Sequence, residues 1–436
     1  MNTPFSSITV LAQQFRDGLT SPVEIVEQCL REWERSESSI HAWVWLDPDG
    51  ARRQAEEMAR QLRAGDALGP LAGIPIGVKD IIDMRGLPTR AGSPLRSQHI
   101  AEQDAPVVVC LRQAGAILLG KTVTTEFACF DPPPTRNPWN RERTPGGSSS
   151  GSAVAVSLGM CVAAIGSQTG GSIVRPASYC GVAGFKPTRG LVSTDGVVPV
   201  SEHLDHVGPL ASSVSDLESL FAVLATPRPQ ECPPLSKAVV LEGFFFEQAD
   251  AEVAKVTREA IERLRGHGLA GTPVALPPGF TQLHAMHRRI MAYAVARDHR
   301  RSFASTPQSY GPNLSSLIRE GMEVSESAYA EALAHQAAFR EEIKVCIPRG
   351  TVALMPSTPT TAPDLSTTGS PQFNSPWSYA GLPSVTLPCG LASDGMPCGL
   401  QLVGAAGNDW SLLATSRLAE QALAFHAQPP GRDRSS

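Results

Sequence analysis

The nine cysteines, scattered from Cys29 to Cys398, include no C-x-x-C pair and are odd in number. Neither a disulfide framework nor a zinc ribbon is therefore expected, and the compartment reads as reducing. Also missing is any run of about eighteen apolar residues that would cross a membrane. Met1-Asn2-Thr3-Pro4-Phe5 lacks the basic stretch and apolar core of a secretion signal, so the expected location is cytoplasmic. No excess of positive charge is present: 37 basic against 42 acidic side chains leave a formal charge of -5. That removes the electrostatic footprint of nucleic acid or an anionic membrane, and leaves small molecules as the expected partners. His203-x-x-His206 and His284-x-x-His287 have no H-E-x-x-H or cysteine companions, so no metal is expected. His284 and His287 read as decoration of an amphipathic helix.

What the chain does have is apolar material, 42% of 436 residues, enough for a sizeable core. Ser21 and Pro22 read as the cap and first residue of a helix reaching Trp33, and a second helix covers 51–63. Trp43 and Trp45 alternate across Val44 as in a strand. The rhythm then changes to short apolar runs at 74–78, 116–120, 161–165 and 182–185, separated by helices near 106–114 and 152–158. That alternation predicts an α/β sheet buried on both faces. Prolines 227, 229, 233 and 234 mark a surface connection. Beyond it come a strand at 236–242 and helices at 250–266, 282–302 and 325–346. Strands follow at 352–355, 384–387 and 399–403, and a helix at 409–423 closes the pattern. Because strand-like runs bracket the helical stretch 280–346, the economical reading is one domain over 1–436, with 280–346 as a helical insert.

Two motifs compete for attention. Residues 115–122 match the phosphate-loop pattern G-x-x-x-x-G-K-[ST] letter for letter. In such a loop the strand precedes the first glycine, whereas here the four middle residues, Ala-Ile-Leu-Leu, read as the strand and helix comes before. Lys121 is then expected at a strand end on the surface. Gly147-Ser148-Ser149-Ser150-Gly151 matches the nucleophile elbow G-x-S-x-G, which would make Ser149 a nucleophile served by a later histidine. The polar segment 141–145, ending in proline, is a poor strand to lead into that elbow.

The most informative block is Gly146-Gly147-Ser148-Ser149-Ser150-Gly151-Ser152, followed by Gln168-Thr169-Gly170-Gly171-Ser172. Glycines beside serines let main-chain N–H groups be aimed at a developing oxyanion. Far upstream, Lys79 ends the apolar run Gly73-Ile74-Pro75-Ile76-Gly77-Val78. A lysine buried there becomes a base for a serine hydroxyl once its amine is neutral. This combination points to hydrolysis.

These residues, together with Arg175-Pro176-Ala177, Gly181 to Thr188, Asp205-His206-Val207-Gly208-Pro209, Gly381-Leu382-Pro383 and Gly399 to Gly404, strongly resemble the amidase signature family of serine hydrolases over most of the chain. The resemblance implies a single large mixed β-sheet covered by helices on both faces. It also implies a Ser-Ser-Lys triad that cleaves a small carboxamide through an acyl-serine, with no metal or organic cofactor. On that reading Ser172 is the nucleophile, Ser148 is the bridging serine after a cis peptide from Gly147, and Lys79 is the base. Main-chain N–H groups of Thr169, Gly170, Gly171 and Ser172 form the oxyanion hole. Gln168 replaces an Asp common in the family, and Arg175 stands three residues after Ser172 where many members have an arginine two after. Both departures speak against the A-type chains of tRNA-dependent amidotransferases. A glutamine-hydrolysing A-type chain with a partner subunit nevertheless stays as the alternative function, and a homodimer is the other assembly left open. Substrate choice is expected in residues 280–338 and near Phe130 to Trp139. Phe127, Phe130, Met291 and Tyr293 are equally good as core or as pocket lining.

Overall fold

Local chemistry starts the first large helix. Ser21 Oγ accepts from the Glu24 amide while the Glu24 carboxylate accepts from the Ser21 amide, and Pro22 takes the first helical position. This reciprocal cap satisfies two donors that a helix start leaves open. The helix spans Pro22–Ile40, longer than the pattern predicts. It ends at His41, whose left-handed backbone (φ 56°) turns the chain into the first strand.

The computed structural model describes residues 5–66, 68–225 and 229–430. Within them eleven strands form one sheet: β1 (Trp43–Leu46), β2 (Pro75–Lys79), β3 (Ile117–Thr122), β4 (Ala163–Gln168), β5 (Ala183–Lys186), β6 (His206–Ala211), β7 (Lys237–Leu241), β8 (Gly271–Val274), β9 (Thr351–Pro356), β10 (Ser384–Leu391) and β11 (Pro397–Gly404). Their order is β1-β3-β2-β4-β6-β5-β10-β11-β9-β7-β8. β2 runs parallel to β3 and β4, and β7 parallel to β8 and β9, while the central pairings are antiparallel. The sheet is therefore mixed, and strands from both ends of the chain meet where β5 pairs β10. Every residue of β2 through β6 is buried, as a sheet covered on both faces requires.

The phosphate-loop pattern dissolves into this sheet: residues 117–122 are β3, and the helix Pro106–Gln113 precedes them. β6 is a strand that apolar patterning missed, because Pro209 lies in its middle. Pro209 pairs with Ile165 of β4 and lies just beyond Leu210 and Ala211, the two residues at which β5 pairs β6. Of the four connecting prolines, Pro229, Pro233 and Pro234 are exposed, and Pro227 lies outside the described residues.

One helix positions the site. Ser150–Leu158 is buried at every residue and packs on β2, β3, β4 and β6. Its approach depends on Gly151: a Cβ there would stand 2.1 Å from the Ala42 carbonyl oxygen and 2.4 Å from the Val123 nitrogen. Only glycine lets the helix start come that close to the main chain.

Candidate active site

Lys79 is the last residue of β2 and has no exposed surface. Its Nζ lies 2.7 Å from Ser148 Oγ and 2.9 Å from Ser167 Oγ. Burial brings the ammonium down to a pKa of about 7, which the more distant Asp205 carboxylate only partly opposes. Among the described residues no carboxylate forms an ion pair with it. An amine in that setting is largely neutral just above pH 7, and so can accept a proton.

Ser148 follows a cis peptide bond from Gly147 and is 1% exposed. Its loop is tied down on several sides. Arg175 Nη2 donates to the Gly147 carbonyl at 2.6 Å, and Ser150 Oγ donates to the Gly146 carbonyl at 2.6 Å. The Ser149 amide donates to the Ser172 carbonyl at 3.3 Å, which holds the two serine loops together. Ser149 Oγ is occupied on β4, donating to the Ser167 carbonyl and accepting from the Ser167 amide. No histidine is among its partners, so the elbow reading has no base here. Ser152 Oγ pairs with Thr122 Oγ1 at 2.7 Å. These serines fasten the helix start to neighbouring strands, and Ser149 at the cap position makes no side-chain cap bond.

The loop after β4 presents Ser172. Gln168 Oε1 accepts from the amides of Ile173 and Val174 at 2.9 and 3.0 Å, and its Nε2 donates to Ser378 Oγ. A neutral amide oxygen thus receives the start of the following helix, Val174–Cys180. Thr169 Oγ1 donates to Asp205 Oδ1 at 2.6 Å, and the other oxygen of Asp205 accepts from the amides of Val200 and Ser201. Gly171 admits no side chain, because a Cβ would meet Asn374 Oδ1 at 2.5 Å. Among the described residues the amides of Gly170, Gly171 and Ser172 donate to no other group, and neither does Ser172 Oγ. Thr169, Gly170, Gly171 and Ser172 all border a cavity of about 360 Å³.

The structure also corrects two expectations. Lys121 is 1% exposed and ion-paired to Asp80 at 2.9 Å. It is not a surface residue, because the turn carrying Pro88 and Thr89 closes over its Nζ. His284 and His287 face the same cavity as Ser172, since the helix Phe280–Ser305 turns that face inward. His287 Nε2 lies 3.1 Å from the Thr169 carbonyl. Burial lowers its pKa to about 4, so the ring is neutral, and a carbonyl partner fixes the proton on Nε2. Phe130 and Met291 border the cavity. Phe127 instead packs on His299 and Tyr310, and Tyr293 stacks on Tyr329. Ser167 was not among the expected residues. Its only sequence signal is a hydroxyl near the end of a buried strand.

Comparison with known proteins addresses the family and the fold. The sequence model of the Amidase family matches residues 24–413. The glutamyl-tRNA(Gln) amidotransferase A-type chain of Synechococcus sp. (strain CC9605) is 32% identical, over 97% of this chain and 98% of that one. A crystal structure described as an amidase superposes with a TM-score of 0.89 at 32% identity, over 95% of this chain and 99% of the other. The native peptide amidase from Stenotrophomonas maltophilia superposes at 0.84 with 27% identity, over 97% and 98%.

Proposed function

Because the chain belongs to the amidase family, we propose that it hydrolyses the C–N bond of a small carboxamide through an acyl-Ser172 intermediate. The observation that carries this reading is Lys79 Nζ at 2.7 Å from Ser148 Oγ, with a pKa of about 7. Neutral Lys79 takes the proton of Ser148, Ser148 takes that of Ser172, and Ser172 Oγ attacks the carbonyl carbon. The oxyanion forms against the amides of the Thr169 to Ser172 loop, where losing one donor costs about 3 kcal/mol of barrier. Collapse breaks the C–N bond as the relay runs backwards, protonating the leaving nitrogen. Water, deprotonated by the same relay, then attacks the acyl carbon and releases the acid and Ser172. Asp205 positions Thr169 within the oxyanion loop.

The helical segment 280–346 forms one side of the substrate pocket, a role supported by His284, His287, Arg288 and Met291 at the cavity wall. The cavity volume of about 360 Å³ fits a small ligand. The 32% identity to an amidotransferase A-type chain over nearly the full length of both proteins favours a second reading, glutamine hydrolysis in complex with a partner protein. Co-purification of a partner, with glutaminase activity that depends on it, separates the two.

The test is intact-mass spectrometry after exposure to a fluorophosphonate, with peptide mapping. One adduct on Ser172, absent from Ser172→Ala, is expected. An adduct on Ser149 or none on Ser172 would overturn the assignment.

A further inference from the structure

We propose that His287 and Ser378 are positioning residues of the oxyanion loop: each holds the carbonyl of one peptide unit and thereby aims the N–H of the same unit. This rests on reading Ser172 as the nucleophile and the Thr169 to Ser172 loop as its oxyanion hole. A trans peptide is planar, with its C=O and N–H pointing in opposite directions. Whatever grips the carbonyl therefore fixes the line of the amide. The peptides from Thr169 to Ser172 are trans, since among the described residues the one cis bond is Gly147–Ser148. His287 Nε2 donates to the Thr169 carbonyl at 3.1 Å, which shares its peptide unit with the Gly170 amide. Ser378 Oγ donates to the Gly170 carbonyl at 3.1 Å, which shares its unit with the Gly171 amide. The Gly171 carbonyl accepts from the Arg175 amide at 2.9 Å, and that bond sets the Ser172 amide.

Three consecutive carbonyls are thus engaged, while the amides of Gly170, Gly171 and Ser172 donate to no group among the described residues. Two glycines in a row have wide torsional freedom, so tethers from outside the loop must define where their amides point. Asp205 does not do this, because it holds Thr169 by the side chain alone. His287 comes from the helix Phe280–Ser305 and Ser378 from the short helix Ser375–Ala380. Both donors have their protons committed. Ser378 Oγ accepts from Gln168 Nε2 at 3.1 Å, which leaves its own proton for the Gly170 carbonyl. The His287 ring is buried and neutral, and carries its proton on the nitrogen that faces the Thr169 carbonyl. A donor on the carbonyl also polarises the peptide and strengthens its N–H as a donor. The helix that walls the cavity with Met291 therefore also aims an oxyanion donor.

The experiment is labelling of Ser172 by a fluorophosphonate, whose phosphoryl oxygen takes the oxyanion position, resolved into the binding constant KI and the maximal rate kinact. His287→Met and Ser378→Ala are each expected to lower kinact roughly 10- to 100-fold, less than the loss of a donor outright, with KI within about threefold of wild type. His287→Gln, whose side-chain amide can donate to the same carbonyl, should recover most of the loss. A ring that served packing alone would not distinguish Gln from Met in this way. If His287→Met does not fold, Ser378→Ala, the smaller change, decides the matter. Wild-type kinact in the folded variants, or a loss in His287→Met that His287→Gln does not recover, would overturn the inference and leave the amidase reading intact, because wild-type Ser172 still labels. Failure of wild-type Ser172 to label would overturn that reading as well.

Discussion

Two lysines lie side by side in this sheet and do opposite things. Lys79 ends β2 and Lys121 is the penultimate residue of β3, in parallel strands paired Val78 with Lys121 and Lys79 with Thr122. The register puts their side chains on opposite faces. Lys79 shares its face with Thr122, whose hydroxyl meets Ser152 on the covering helix, and there it finds only serine hydroxyls. Asp80 follows Lys79 directly and so points the other way, where it meets Lys121 at 2.9 Å. Burial lowers both amines, but an ion-paired carboxylate within hydrogen-bond distance supports the ammonium only at Lys121. Adjacent carboxylate and lysine in the sequence are thus separated by the pleat. One lysine has no carboxylate partner and the other is held in a buried ion pair.

The sharpest way to break this comparison is to remove each lysine in turn. Lys79→Met should lower kcat by roughly 10⁴-fold or more with thermal unfolding close to wild type. A variant that unfolds, or that keeps its turnover, would contradict a purely catalytic role. Lys121→Met should do the reverse: about 3 to 5 kcal/mol of stability lost in chemical denaturation, because Asp80 is left buried and unpaired, with kcat per folded molecule little changed. Adding Asp80→Leu should restore much of that stability, and failure to do so would show that the pair is not what Lys121 contributes. A smaller effect is expected from Ser167→Ala. Removing one polar partner of the Lys79 amine should cost roughly tenfold in kcat with KM unchanged, and an unaltered kcat would show that Ser167 does not help to hold the Lys79 amine.

The two lysines also mark what the sequence discloses. The glycine-rich loops at 146–152 and 168–172 and the apolar run ending at Lys79 are local signals, because close main-chain approach needs glycine and a buried strand needs apolar residues. They were legible, as were most strands. Neighbours brought in from elsewhere in the chain were not. Ser167 reaches Lys79 only because β2 and β4 pair. Lys121 is buried only because the Pro88 and Thr89 turn covers it, and His287 meets Thr169 across 118 residues. β6 stayed hidden because a proline interrupts its apolar run, and the strands it pairs with lie elsewhere in the chain.

The central claim is that neutral Lys79 is the base, and the pH dependence of fluorophosphonate labelling at Ser172 tests it most directly. Below a pKa of about 7 the amine is protonated and cannot accept the relayed proton, so the rate should fall as pH drops and level off above it. Wild type is expected to show that single limb near pH 7, and Lys79→Met to label at least ~10³-fold more slowly with the limb gone. The same limb persisting in Lys79→Met would contradict the account.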